Sequence, residues 1–178
     1  MSEIGPSGEI LILIDEQDRQ TGIREKHAAH RDGQLHRAFS VLVHNRQGEW
    51  LLQRRAAVKY HSGGLWTNAC CGHPRPGEVI GAAASRRLGE EMGFACPLRF
   101  VGKVRYQAPL DRGMTENELV SIFVGQHDGA IALNPDEADA YSWVRPERLR
   151  TDVASNPDDY TVWFRKYLDE LWHHLRAA

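Results

Sequence analysis

Residues 66–94 read WTNACCGHPRPGEVIGAAASRRLGEEMGF, and the rest of the chain is organised around them. Two adjacent cysteines lead through Gly72-His73-Pro74 into a segment with clear helix signals. Pro76-Gly77 breaks the chain, Glu78 puts an acid where a helix N-terminus favours one, and Gly93 suits the position just past a helix end. Ile80, Ala84 and Leu88 recur every four residues and define a core face; Arg87 and Glu91 share a different face, with Glu90 beside them. Two acids in the last turn oppose the negative end of the helix dipole, so a cation is expected to offset them. Arg86 and Arg87 could supply it from within, as in an ordinary amphipathic helix with internal ion pairs.

Composition sets the outer bounds. A chain of 178 residues suits one domain, large enough to bury roughly two thirds of its unfolded surface. Hydrophobic residues at 42% and charged residues at 26% describe an ordinary globular protein. A net charge of −2 and a pI near 6.5 argue against nucleic acid or an anionic membrane as the main partner. An anionic ligand would therefore need local bases or a metal. No apolar run approaches the ~18 residues of a membrane span, and MSEIGPSGEI has neither the basic start nor the apolar core of a signal peptide. The expectation is a cytoplasmic protein with a loose leader over Met1–Gly8 and a single domain over residues 9–178. Cys70, Cys71 and Cys96 are an odd set with two adjacent members, so no disulfide framework is expected. A free cysteine usually packs as a small hydrophobe, and a reduced one is available for chemistry.

In chain order, Glu9–Asp15 reads as a strand and Glu16–Gly22 as a polar turn. Residues 23–37, IREKHAAHRDGQLHR, have little periodicity but hold three histidines, which suggests a binding loop. Ala38–His44 and Glu49–Arg54 read as strands joined by a hairpin turn at Asn45-Arg46-Gln47-Gly48, followed by a basic loop to Leu65. Beyond the helix, Pro97–Tyr106 and Glu116–Gln126 read as strands around a loop at Gln107–Thr115, with a short strand at Ala140–Val144 and a helical turn at Pro146–Leu149. Asn156-Pro157-Asp158-Asp159 starts a helix over Tyr160–Leu175, with Phe164, Leu168, Leu171, Trp172 and Leu175 as its stripe. The class is α+β, a mixed sheet flanked by helices in one domain.

Glu116 and Glu118 are two apart on a strand and point to one face, which is costly unless a cation or a shared proton separates them. With Glu91 and with His30, His36 and His73 they form the candidate metal ligands. Imidazole with carboxylate suits Mn, Fe, Zn or Co, and oxygen ligands with phosphate suit Mg. A structural zinc site on Cys70, Cys71 and His73 is disfavoured because no second Cys/His pair stands at such a spacing.

Gly72, five residues, Glu78, seven residues, then Arg86-Arg87-Leu88-Gly89-Glu90-Glu91-Met92-Gly93-Phe94 resembles the Nudix box, a loop-helix-loop whose glutamates hold a divalent metal against a diphosphate. It departs where the usual Arg-Glu pair is Arg86-Arg87. The segments EKHAAH, LHRAFS, RRAAVK, LWTNACCGHP, RYQA and TENE, in that order, further resemble type I isopentenyl diphosphate isomerase, over about Gly22–Trp163. That resemblance implies a Nudix-like α/β/α sandwich that interconverts isopentenyl and dimethylallyl diphosphate by protonating one alkene carbon and deprotonating another.

Carried over position by position, the resemblance makes Cys71 the catalytic cysteine, Glu118 the catalytic glutamate and Tyr106 its assisting tyrosine. It implies His30, His36, His73, Glu116 and Glu118 as ligands of one divalent metal (Mn, Mg or Zn). Glu91 and the main chain of Cys71 would hold a Mg ion bound with the substrate diphosphate. Lys26, Arg55, Lys59 and Arg87 match the bases around that diphosphate, and Trp163, or Trp66, would face a carbocation. The implied partner is a small isoprenoid diphosphate acting on a monomer. An alkene is a poor base, so its protonation needs a well-placed acid in a site that excludes water. Arg87 adds grip on the diphosphate and removes a carboxylate that a hydrolase would use. Ser62-Gly63 stands where the family has an aromatic-Pro pair, which makes the Lys59 loop differ. Cys70 is expected to pack away from Cys71, because neighbours in an extended segment point to opposite sides. The alternative is a Nudix hydrolase of a nucleoside diphosphate derivative.

Overall fold

A computed structural model describes residues 8–175. The expected leader at Met1–Gly8 lies, but for Gly8, outside the described residues. The strands β1 (Ile10–Ile14), β2 (Gln20–Glu25), β3 (His36–His44), β4 (Trp50–Arg55) and β5 (Trp66–Asn68) follow the sequence with β6 (Cys70–Gly72), β7 (Leu98–Pro109), β8 (Thr115–Gln126) and β9 (Ala138–Val144). Among the described residues these nine form one sheet, mixed because β3 and β8 pair in parallel while the other pairs are antiparallel. The helices are α1 (Lys26–Arg31), α2 (Ile80–Met92), α3 (Pro146–Ser155) and α4 (Val162–Leu175).

The two-residue period of the strands divides the core into two layers. Phe39, Val41 and Val43 of β3 face α2, packing with Ala83, Ala84, Leu88 and Met92. Ala38 and Leu42, with Val120, Ile122 and Val124 of β8, face the opposite side, where Trp163, Phe164, Tyr167 and Leu168 of α4 cover them. The α/β/α sandwich follows from strands that are apolar on both faces.

Helix α2 ends as its sequence indicates. Gly93 takes the left-handed conformation at φ 73° and its N–H bonds to the Gly89 carbonyl. The strand-free segment before β9 then donates Ala132 N–H to Met92 O and Asn134 N–H to Glu91 O, so the last carbonyls of α2 are satisfied by another part of the chain.

Some boundaries differ from the sequence reading. Residues 23–37 are not one loop: β2 runs to Glu25, and Glu25 caps α1 by accepting from Ala28 N–H at 3.0 Å. The one-and-a-half turns of α1 bury His30 beside Ala29, so the helix has no apolar stripe to announce it. The loop expected at Gln107–Thr115 shrinks because β7 continues to Pro109. The last helix starts later, at Val162, after a single turn at Pro157–Asp159 and an extended Tyr160. Phe164, Leu168 and Trp172 of its stripe are buried, and the side chains of Leu171 and Leu175 lie outside the described residues. Trp163 and Tyr167, which sequence spacing puts on the flank, are buried too.

Candidate active site

The parallel pairing of β3 and β8 sets His36 beside Glu118, and the antiparallel pairing of β7 and β8 sets Tyr106 on the other side of Glu118. Because Glu116 and Glu118 point to one face of β8, both carboxylates reach the same space as His36. Helix α1 brings His30 there and the turn after β6 brings His73. In each of the groups His30/His36/His73, His30/His61/Glu116 and His36/Glu116/Glu118, one ligand atom per residue lies within 4.8 Å of the others. The five residues expected to hold a metal thus meet, and His61, which the sequence reading left in a basic loop, joins them.

The donors have the chemistry a divalent ion requires. His36 Nδ1 donates to the Gln34 carbonyl at 2.8 Å, which leaves Nε2 with its lone pair pointing at Glu118 and Glu116, 3.3 and 3.8 Å away. His30 Nδ1 meets the Tyr60 hydroxyl at 2.8 Å, and its Nε2 lies 3.6 Å from Glu116. His30 Nε2, His36 Nε2 and Glu116 Oε2 are buried and lack a hydrogen-bond partner among the described residues. Three buried polar atoms without partners, with both imidazole nitrogens within 3.8 Å of Glu116 Oε2, fit a cation. His73 bridges Glu118 Oε1 at 2.9 Å and Glu9 Oε1 at 3.0 Å, and Glu9 also takes Lys26 Nζ at 2.7 Å.

Burial and charge spread the protonation states apart. Burial drives His30 down to about 3 and His61 to about 2, so both rings are neutral and available as ligands. Burial also opposes charge on His73, but its bonds to Glu118 and Glu9 outweigh that and hold it up at about 9. Glu116 is pushed well up by burial and the Glu118 charge; burial opposes charge on Glu118 too, but the hydrogen bond and charge of His73 outweigh it and hold Glu118 well below the usual range. Tyr106 donates its O–H to Glu118 Oε2 at 2.7 Å, and burial beside that carboxylate raises it far above an ordinary phenol.

Cys71 faces this cluster across a cavity of about 190 Å³ that Phe39, Tyr106, Glu116, Glu118, Trp163 and Tyr167 also line. Cys70 turns the other way into the α2 layer, as expected of neighbours in an extended segment. Burial holds the Cys71 thiol up at about 12, with its 2.9 Å contact to the Ser40 hydroxyl offsetting part of that rise. Trp163 forms a wall, and the Arg55 guanidinium lies 5.2 Å above its ring. Trp66 does not line the cavity; it packs on the α4 layer with Arg54 at 5.9 Å.

Lys26, Arg55, Lys59 and Arg87 line the same cavity, and an adjoining cleft of about 560 Å³ adds Arg75 and Arg86. Arg87 answers the question posed by the acids of α2: it bonds Glu91 at 2.7 Å, Glu90 at 2.8 Å and Glu137 at 3.1 Å. Arg86 pairs with Glu78 at 2.8 Å and with Glu90 at 3.2 Å. The internal ion pairs of the plain amphipathic helix are therefore present, and Glu91 still differs from them in being buried. Gln53 donates to Glu91 at 2.9 Å, and burial raises its pKa against the pull of Arg87. Glu137 joins Arg87 to Lys59. Sequence reasoning missed Glu9, Ser40, Tyr60, His61, Asn68 and Glu137. His61 and Tyr60 share the basic Gly-containing loop, and Asn68 lies three residues before Cys71; Glu9, Ser40 and Glu137 reach the site only through the tertiary fold.

A NUDIX domain profile matches residues 34–164. Isopentenyl-diphosphate Delta-isomerase 2 of Photorhabdus laumondii is 50% identical over 163 residues, covering 92% of each chain. The isopentenyl-diphosphate Delta-isomerase of Burkholderia multivorans is 51% identical over 156 residues, covering 88% of this chain and 89% of its own. Among solved structures, DR0079 of Deinococcus radiodurans superposes with a TM-score of 0.70 at 20% identity, over 83% of this chain and 90% of its own, a likeness of fold alone. With the Nudix profile spanning most of the sheet and with half-identical relatives along nearly the whole length, the chain belongs to the isopentenyl-diphosphate Delta-isomerase family, built on a Nudix domain.

Proposed function

We propose that the protein interconverts isopentenyl diphosphate and dimethylallyl diphosphate, with Cys71 and Glu118 as the acid and base. The observation that carries this reading is the convergence of Cys71, Glu118, Tyr106 and Trp163 on one cavity beside a basic cleft. In the forward direction one side chain gives a proton to the terminal methylene of the alkene. The tertiary cation so formed loses a proton from the neighbouring methylene to the other side chain, and the composition of the substrate is unchanged. In reverse the roles exchange.

Cys71 stores its proton because burial disfavours the thiolate, and Glu118 is kept ionised by its bond to His73, so the pair holds one acid and one base. Tyr106 orients the Glu118 carboxylate by its hydrogen bond. The Trp163 face stabilises positive charge without reacting with it, and the closed walls keep out water that would capture a cation. Lys26, Arg55, Lys59 and Arg87 grip the diphosphate, which supplies binding energy remote from the reacting carbons. His30, His36, Glu116 and Glu118, with His73 once it has given up a ring proton, would hold one divalent ion (Mn, Mg or Zn), and Glu91 with the main chain of Cys71 a Mg ion; such ions would fix the carboxylate geometry and neutralise the diphosphate. We further propose one monomeric catalytic domain over residues 9–178, at work in the cytoplasm on a small isoprenoid diphosphate. Among the described residues no helix is long and apolar enough to cross a membrane.

The test is proton and phosphorus NMR of the purified protein with isopentenyl diphosphate and Mg in D₂O. Deuterated dimethylallyl diphosphate with the diphosphate intact is the expected result, abolished separately by Cys71→Ala and Glu118→Gln. No product or exchange with Mg, Mn or Zn would refute the isomerase, and phosphate release from nucleoside diphosphates would establish a hydrolase instead.

A further inference from the structure

Two groups of the proposed reaction, the Trp163 indole and the Cys71 thiol, are joined behind the cavity wall by two side chains that line neither the cavity nor the cleft. Trp163 Nε1–H donates to Thr67 Oγ1 at 3.0 Å, and Thr161 Oγ1–H donates to the same oxygen at 2.9 Å. A hydroxyl has two lone pairs and one proton. With both lone pairs taken, the proton of Thr67 is committed to Asn68 Oδ1, 3.1 Å away.

The Asn68 amide cannot flip to escape this. Its Nδ2 donates to the carbonyls of Cys70 at 2.8 Å and Val41 at 2.9 Å, and neither could accept from the other end of the amide in a donor's place. Oδ1 therefore faces Cys71, whose Sγ–H donates to it at 3.2 Å. Ser40 Oγ lies 3.1 Å from Nδ2 and shares one of its two N–H donors with a carbonyl, and the Ser40 proton points at Cys71 Sγ, 2.9 Å off. Thr67, Asn68 and Thr161 are all at most 1% exposed, so no water competes for these bonds.

Resting on the isomerase reading, we propose that Thr67 and Asn68 are positioning residues that hold the Trp163 ring and the Cys71 thiol in one fixed relation through the directional chain Trp163 N–H, Thr67 O–H, Asn68 O, Cys71 S–H. Neither residue touches substrate. Their effect is on the rate of the proton transfers, because both ends of the reacting carbon skeleton depend on groups that the chain orients together. None of the diphosphate bases takes part in these hydrogen bonds, and only Arg55 touches the chain, stacked 5.2 Å over the Trp163 ring, so the main effect is on kcat and not on binding.

Thr67→Val keeps the shape of the side chain and its fit to a strand but removes both roles of the hydroxyl, while Thr67→Ser retains them. The expected result for Thr67→Val is a kcat lowered about tenfold, the scale of one net hydrogen bond, with KM unchanged and with near-normal kcat in Thr67→Ser. In a ¹⁵N–¹H spectrum the Trp163 indole resonance, assigned through Trp163→Phe, should move in Thr67→Val and stay in Thr67→Ser. Trp163→Phe keeps an aromatic face and loses only the N–H donor among these bonds. Adding Thr67→Val to it should lower kcat less than Thr67→Val does alone. If Thr67→Val does not fold, Trp163→Phe carries the test: a lowered kcat with KM unchanged is expected, and a normal kcat would overturn the proposal. A normal kcat in Thr67→Val, an equal loss in Thr67→Ser, a parallel change in KM, or an unmoved indole resonance would each overturn the proposal. Inactivity of the unsubstituted protein would refute the isomerase instead, and the indole resonance would still report whether the chain of bonds exists.

Discussion

Removing divalent metal should lower the melting temperature, by an amount the buried site sets. His30 Nε2, His36 Nε2 and Glu116 Oε2 have no hydrogen-bond partner among the described residues, and His30 and His36 are fully buried. An unsatisfied buried polar group costs about 1–3 kcal/mol. Three of them cost at least about 3 kcal/mol without an ion, even at the low end of that range. A divalent ion that satisfies all three should return a similar amount, close to the ~2.7 kcal/mol that linkage gives at a concentration of about 100 Kd. For a chain of this size each kcal/mol is worth roughly 2–4 °C. Chelation should therefore lower the calorimetric midpoint by about 6–12 °C, and titrating back Mn, Mg or Zn should restore it in order of affinity. His36→Gln, which deletes a ligand deep in the cluster, should abolish most of the response. A midpoint unmoved by chelator and by every added ion, or a response unchanged in His36→Gln, would refute the assignment of these residues as a metal site.

Three further outcomes test other parts of the argument. Arg87→Gln removes the cation between Glu90, Glu91 and Glu137; it should raise KM for the diphosphate roughly tenfold or more, the loss of a charge-assisted bond of about 1.5–3 kcal/mol, and an unchanged KM in steady-state kinetics would remove Arg87 from the binding site. Glu78 is held at about 2 by its bonds to Arg86 and the Arg75 N–H. A carboxyl whose folded pKa is lowered stabilises the protein above its unfolded value and loses that contribution as pH falls through the folded one. Glu78→Gln should thus cost about 1 kcal/mol near neutral pH, and urea denaturation should show the two proteins converging as pH falls from 4.5 toward about 2. Gly93→Ala adds a methyl at φ 73° that would collide with the Ala132 carbonyl oxygen; denaturant unfolding should reveal a loss of about 2–4 kcal/mol, and a loss below about 1 kcal/mol would mean that the loop yields.

Much of the architecture was legible before the structure because it is written in short-range patterns. Helix α2 has a breaker, a four-residue stripe and a terminal glycine. The strands β3 and β8 are long apolar runs, and the spacing of Glu116 and Glu118 states by itself that two acids share a face. Residue types and spacing gathered the candidate metal ligands, but only the resemblance of motifs joined Cys71 and Tyr106 to them. Periodicity gave no reason to join His30 to His73 or Cys71 to Glu118.

What only tertiary structure decided is the set of contacts made by pairing across the sheet. The parallel register of β3 and β8 brings His36 to Glu118, although 82 residues separate them in order along the chain. The β3–β6 pairing sets Ser40 against Cys71, and the α4 contact with β5 sets Trp163 on Thr67. Trp66, a plausible aromatic partner on sequence grounds, is turned into the α4 layer, and Glu9 is drawn into the site by the β1 hairpin. Local propensity fixes which face a residue occupies along its own element. Which faces meet is settled by burying both sides of one mixed sheet at once, a global condition that no window of sequence contains.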